Sequence, residues 1–125
     1  MARVLIADDE ASIRAFVSRA LESAGHEVGV AANGGAALEA LGAAPYDLLL
    51  SDIAMPELDG VTLALMAAKA YPRLRIVLMT GYAHEHEHAH NLDCLAHEIV
   101  EKPFSLAIIR GVVETALATP ERPSA

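Results

Sequence analysis

Tryptophan is absent, and aromatic residues make up only 4% of the 125 positions. There is a single cysteine, Cys94. One cysteine closes no internal disulfide, which excludes a disulfide scaffold and points to a cytoplasmic protein. Basic residues are also few: nine Lys and Arg stand against 17 Asp and Glu, a formal net charge of -8. A chain so acidic is a poor direct partner for nucleic acid. No apolar run reaches the ~20 residues of a membrane helix. Met1-Ala2-Arg3 leads into a short strand and lacks the apolar stretch of a signal peptide. What is abundant is apolar surface, 54% of residues, enough to fill one core in one domain. The acidity has two readings: a solubilising surface, or in part a clustered cation site.

Along the chain, short apolar runs alternate with stretches of helical spacing. Arg3-Val4-Leu5-Ile6-Ala7 has no polar alternation and reads as a strand buried on both faces, ending in Asp8-Asp9-Glu10. A helix follows with Ile13, Phe16, Val17, Ala20 and Leu21 inward, stopped by Gly25. Val28 to Ala31 is a second strand, Asn33-Gly34 a turn, and Ala36 to Ala44 a second helix marked by Leu38 and Leu41. Asp47 to Ser51 is the third strand, leading directly into Asp52. Met55-Pro56-Glu57-Leu58-Asp59-Gly60 reads as a loop, with Gly60 permitting the turn into a helix over about 61–70. That helix places Val61, Ala64, Leu65 and Ala68 inward. Arg75 to Met79 is the fourth strand, ending at Thr80-Gly81. A polar, histidine-rich helix is expected over 84–96, a short fifth strand over 98–101 ending at Lys102-Pro103-Phe104, and a last helix from Ser105 with Ile109, Val112, Val113, Ala116 and Leu117 inward. The tail 119–125, with Pro120 and Pro123, is expected to be disordered.

Five strands alternating with five helices imply an α/β fold, a parallel sheet covered on both faces. Ligands of such sheets sit at the carboxyl ends of the strands. The polar residues collect there: Asp8 and Asp9 after the first strand, Asp52 after the third, Thr80 after the fourth and Lys102 after the fifth. Any one of them alone is an ordinary loop or cap residue; together they form a chemical set. Three carboxylates in one place repel one another, and a divalent cation relieves the conflict. Magnesium suits such oxygen ligands. Thr80 can donate to a phosphoryl oxygen and Lys102 can neutralise another, while Asp52 serves as nucleophile.

Asp8-Asp9, Asp52 with Met55-Pro56 and Asp59-Gly60, Thr80, and Lys102-Pro103-Phe104 resemble the receiver domain of two-component response regulators. The likeness spans residues 2 to about 118, leaving 119–125 as tail. It implies the flavodoxin-like (CheY-like) doubly wound fold, with strand order 2-1-3-4-5. By the resemblance Asp52 is the phospho-acceptor of a phosphorelay. Asp9 and Asp52 bind Mg2+ with the Ala54 carbonyl, Asp8 acts mainly through bound water, and Thr80 and Lys102 hold the phosphoryl group. The phosphodonor is a sensor histidine kinase or a histidine phosphotransferase.

The chain departs from the family at three points. The strand-five position usually held by Phe or Tyr is Ile99, so Tyr82, two residues past Thr80, is expected to complete a switch of Thr80, Tyr82 and Ile99. Ala54, two residues after Asp52, has no side chain to orient a hydrolytic water. At most seven residues follow the last helix, so the receiver is expected to act by a protein contact, through the fourth helix, the fifth strand and the fifth helix. The wording of Met79-Thr80-Gly81-Tyr82-Ala83 and Lys102 to Leu106 is most similar to a stand-alone alphaproteobacterial receiver that helps deliver substrates to the ClpXP protease during the cell cycle. The alternatives are a relay intermediate between histidine phosphotransfer proteins and a small phosphatase-like enzyme. The latter lacks a general acid at Ala54 and a cap. A flavin carrier is disfavoured by Asp8-Asp9-Glu10 where a phosphate loop belongs.

Histidine is the last feature. His84-Glu85-His86-Glu87-His88-Ala89-His90 as a helix forms the pairs His84/His88 and His86/His90, able in principle to bind zinc or nickel or to sense pH; a solvated surface is the simpler reading. His26 and His97 read as ordinary surface residues, and Cys94 as a small packed one.

Overall fold

A computed structural model describes residues 2–81 and 98–119. In order the elements are β1 (Arg3–Ala7), α1 (Ala11–Ser23), β2 (Glu27–Ala31), α2 (Gly34–Ala43), β3 (Leu48–Asp52), α3 (Gly60–Ala70), β4 (Arg75–Thr80), β5 (Glu98–Glu101) and α4 (Leu106–Ala118). All pairings are parallel and the strand order is β2-β1-β3-β4-β5. This is the doubly wound architecture the alternation implies. Among the described residues there are four helices, not five; the helix expected over 84–96 lies outside them.

The apolar runs in β1, β3 and β4 feed two cores, because successive strand residues point to opposite faces. Leu5, Leu49, Ile76 and Leu78 pack against α2 and α3 through Ala37, Leu41, Leu63, Ala64 and Ala67. Val4, Ile6, Leu48, Leu50, Val77 and Met79 pack against α1 and α4 through Val17, Leu21, Ile109 and Val113. Leu48, Leu49 and Leu50 are all fully buried, each contributing about 1.5–3 kcal/mol.

Three helices carry a side-chain cap. Asn33, Asp59 and Ser105 accept from the backbone amides of Ala36, Thr62 and Ile108. Asn33-Gly34 is therefore a helix start rather than a turn. Gly25, at φ 95°, does terminate α1, in a conformation open to glycine.

Four further sequence expectations need correction. The fully buried face of α3 is Gly60, Leu63, Ala64 and Ala67, with Val61 and Ala68 half-buried beside it as expected, while Leu65 is 56% exposed. Leu65 sits two residues from Leu63, about 200° around the helix. Phe16 stands at the edge of its core, 37% exposed, with its ring centroid 6.2 Å from that of Phe104. Gly60 is not a turn glycine, since the only positive-φ glycine among the described residues is Gly25. Its role is close approach: a Cβ there would stand 2.8 Å from the Asp52 carbonyl carbon and from Ile53 Cα. His26 is not on the surface but 8% exposed. Its Nδ1 accepts from the Ala2 amide at 3.1 Å, and its Nε2 meets Glu114 Oε1 at 3.1 Å.

His26 belongs to a set of ties at the amino-terminal pole of the sheet. There the Arg75 guanidinium donates to the Thr119 carbonyl from Nε and Nη2, at 3.2 and 2.8 Å. The Arg3 amide donates to Asp47 Oδ2 at 2.8 Å. The carboxyl pole, by contrast, carries the cluster Asp8, Asp9 and Asp52. No helix among the described residues is long and apolar enough to cross a membrane.

Candidate functional site

The strand ends converge as the sequence suggests. Asp8 follows β1 and continues its ladder, donating its amide to Ala31 O at 3.1 Å. Its side chain is completely buried. Oδ1 accepts from the Glu10 amide at 2.9 Å, and Oδ2 accepts from Lys102 Nζ at 3.0 Å. The Asp8 carbonyl accepts from Arg14 Nη1 at 2.7 Å. Asp52 ends β3, one residue later than the sequence pattern suggests, and is 5% exposed. Lys102 Nζ lies 3.4 Å from Asp52 Oδ1, so one ammonium group bridges two carboxylates. Asp9 is exposed.

Thr80 ends β4 and is buried. Its carbonyl accepts from the Lys102 amide at 2.8 Å, tying the ends of β4 and β5 together. The Lys102-Pro103 peptide is cis. A cleft of about 470 Å³ opens over the group, lined by Asp9, Asp52, Ala54, Gly81, Lys102 and Pro103. A larger apolar cavity, about 700 Å³ between Leu41 and Leu74, is lined by no acid or lysine and plays no part in this chemistry.

Burial pushes the Lys102 ammonium toward neutrality. The hydrogen bond to Asp8 and the charges of Asp52 and Asp8 outweigh it, leaving its pKa above the ordinary lysine value. Lys102 is thus a fixed positive charge beside Asp52.

The donor set fits a hard divalent cation. Carboxylate oxygens of Asp8, Asp9 and Asp52 lie within 4.8 Å of one another. Both Asp8 oxygens already accept from protein donors, so Asp9 and Asp52 are the carboxylates better placed to reach an ion from the cleft. Ala54 lines the same cleft.

Ile99 pairs in register with Leu78 and is half-buried against the α2–α3 core. Tyr82, the stretch His84–His90, Cys94 and His97 lie outside the described residues. Sequence reasoning passed over Arg14. Its signal was position: it falls one turn into the helix that leaves the acid pair, within reach of the turn behind it.

A buried acid pair bridged by a strand-five lysine, at the carboxyl end of a 2-1-3-4-5 parallel sheet, defines a receiver, and the chain belongs to the response regulator receiver domain family, whose model matches residues 4–114. Among individual proteins it is 40% identical over 120 residues to the response regulator receiver protein CpdR of Brucella abortus, covering 94% of this chain and 98% of that one. Two solved structures are similar. The receiver domain of NtrX from Brucella abortus has a TM-score of 0.87 at 31% identity, covering 94% of this chain and 99% of that chain. TrrA of Thermotoga maritima, in complex with Mg2+ and BeF, has a TM-score of 0.84 at 32% identity, covering 93% and 99%.

Proposed function

We propose that Asp52 takes up a phosphoryl group from a phosphohistidine and that the phosphorylated state alters a protein-binding surface. The observation that carries this reading is the position of Lys102 Nζ, 3.0 Å from Asp8 and 3.4 Å from Asp52. A cation pinned by a buried acid beside a second acid is set to receive an anion that grows on the second.

In the transfer, an Asp52 carboxylate oxygen attacks phosphorus, the P–N bond to the donor histidine breaks, and the histidine leaves with the bonding pair. Asp52, Asp9 and the Ala54 carbonyl would hold Mg2+, which neutralises phosphoryl charge when bound. The similar protein from Thermotoga maritima, seen in complex with Mg2+ and BeF, supports a metal at this end of the sheet. Lys102 leaves Asp52 for a phosphoryl oxygen while Asp8 keeps hold of it. Thr80 donates its hydroxyl to another oxygen, and through the Thr80–Lys102 backbone bond its movement reaches β5. Tyr82 would stand in for the aromatic group that Ile99 lacks.

The donor is a sensor histidine kinase or a histidine phosphotransferase. The output is a cytoplasmic protein contact through the segment 84–96, β5 and α4. Similarity to CpdR along nearly the whole of both chains favours a regulator of ClpXP-dependent proteolysis.

The test is labelling by a small phosphodonor with Mg2+. Wild-type protein gains one base-labile acyl phosphate and Asp52→Asn gains none; undiminished labelling of the variant means another nucleophile. Asp9→Ala keeps the fold and loses most Mg2+ affinity. A pull-down with phosphorylated and unphosphorylated protein tests the ClpXP-related output.

A further inference from the structure

We infer that Arg14 is a positioning residue for the metal-binding acids, acting through the backbone of Asp8; this rests on the Mg2+ reading above. The case begins with a missing cap. Of the four described helices, only α1 starts without a side-chain cap, its N-cap residue being Glu10. The segment Asp8-Asp9-Glu10 nonetheless has to hold its shape, because it aims two carboxylates at the cleft. Two bonds do this in place of a cap: the Glu10 amide to Asp8 Oδ1, and Arg14 Nη1 to the Asp8 carbonyl at 2.7 Å.

Arg14 closes the first turn of α1 with its own amide, which donates to Glu10 O at 3.1 Å whatever the side chain; only the guanidinium bond is particular to arginine. Its side chain is half-buried and, among the described residues, makes no ion pair. The guanidinium is therefore committed to a backbone carbonyl rather than to neutralising a carboxylate. With that bond in place every hydrogen-bonding atom of Asp8 is engaged: amide to Ala31, carbonyl to Arg14, Oδ1 to Glu10, Oδ2 to Lys102. Fixing Asp8 fixes both its neighbour Asp9 and the lysine it holds. Partners bonded directly to ligating side chains typically change metal affinity 10–100-fold when removed; Arg14 stands one step further out, so its effect should fall at the low end of that range.

The alternative role, a nearby positive charge, predicts the opposite sign. Removing a cation next to three carboxylates should strengthen Mg2+ binding. Arg14→Met thus separates the two. Mg2+ titration of the full chain, followed by amide chemical shifts, should show about tenfold weaker binding in the variant. Hydrogen exchange at the Glu10 amide, measured without metal, should speed up about tenfold relative to core amides such as Leu50. Arg14→Lys keeps the charge on a shorter stem without the planar fork and should recover only part of both losses. Equal or tighter Mg2+ binding by Arg14→Met, or unchanged Glu10 exchange, overturns the inference. Should Arg14→Met not fold, Arg14→Lys decides it, and wild-type Mg2+ affinity with wild-type Glu10 exchange overturns it. A wild-type protein that does not bind Mg2+ overturns the metal reading, and the inference with it.

Discussion

Replacing Gly60 by alanine adds one methyl group where β3 hands over to α3. That carbon would lie 2.8 Å from the Asp52 carbonyl carbon and 2.8 Å from Ile53 Cα, and closer still to the Asp52 carbonyl oxygen. All three neighbours are backbone, so no side chain can rotate aside. The contact relaxes only if α3 backs away from β3 by roughly 1 Å, against an inward face of Leu63, Ala64 and Ala67 that is already packed. The Gly60 amide, bonded to Ile53 O at 2.9 Å, would be pulled with it. Overpacking of this kind costs about 1–3 kcal/mol, and the rigidity of the neighbours puts Gly60→Ala near the upper end. For a domain of this size that is a fall in Tm of roughly 10 °C. Because the displaced backbone belongs to Asp52, labelling by a small phosphodonor should fall more steeply than stability. Gly111→Ala is the control: nothing lies within 4 Å of its added carbon in mid-α4, and it should gain about 0.5–1 kcal/mol. Thermal unfolding and labelling of both variants decide the matter. If Gly60→Ala melts with wild type and labels at the wild-type rate, close approach is not why a glycine stands there.

Four further outcomes are expected. Lys102 has a pKa raised above the usual 10.5, so the stability it adds is complete below that value and is lost as pH rises through the higher folded one. In urea unfolding the gap between wild type and Lys102→Met should hold from pH 7 to about 10 and close only above; an earlier decline contradicts the ion-pair geometry. His26 must carry its proton on Nε2, because Nδ1 accepts from Ala2, and nitrogen NMR at neutral pH reads the tautomer directly. Glu57 holds φ at 68°, so Glu57→Gly should stabilise by about 1 kcal/mol in denaturant unfolding, and destabilisation would show the side chain is needed. Tyr82→Ala should still be phosphorylated while losing most phosphorylation-dependent partner affinity. Ile99→Ala, half-buried, should cost about 1–2 kcal/mol, less than a fully buried isoleucine; the reverse pattern would move the switch to Ile99.

The strands and acids were legible because each obeys a short-range rule. Leu48-Leu49-Leu50, bounded by Pro45 and by Met55-Pro56, is too short for a helix and reads as a strand covered on both faces, which puts the following carboxylate at the rim of the sheet. What escaped depends on distant partners. Nothing in Gly25-His26-Glu27 announces Glu114, 88 positions away, so a buried histidine resembles a surface one. In α3 nearly every residue from Gly60 to Ala68 is apolar, and the periodicity offers several faces; the phase is fixed by Gly60 seating on Asp52, which only coordinates reveal. That same glycine is indistinguishable in sequence from a turn glycine. Arg14 had only its position to mark it, because its partner is a backbone carbonyl, which no residue type encodes.

The ties at the amino-terminal pole have an architectural consequence. Ala2 and Leu117 line one shallow cleft there with His26 and Arg75, and Thr119 is held by the Arg75 guanidinium. Entry and exit of the folded unit are thus neighbours, both on the side away from Asp52. A unit wired in this way behaves like a plug with its leads at the back. A domain spliced onto either lead starts from the pole opposite the face where a phosphodonor must approach. For this chain it means that a fluorescent reporter joined after Thr119 should leave phosphoryl transfer intact, while one inserted between Ala54 and Gly60 should abolish it.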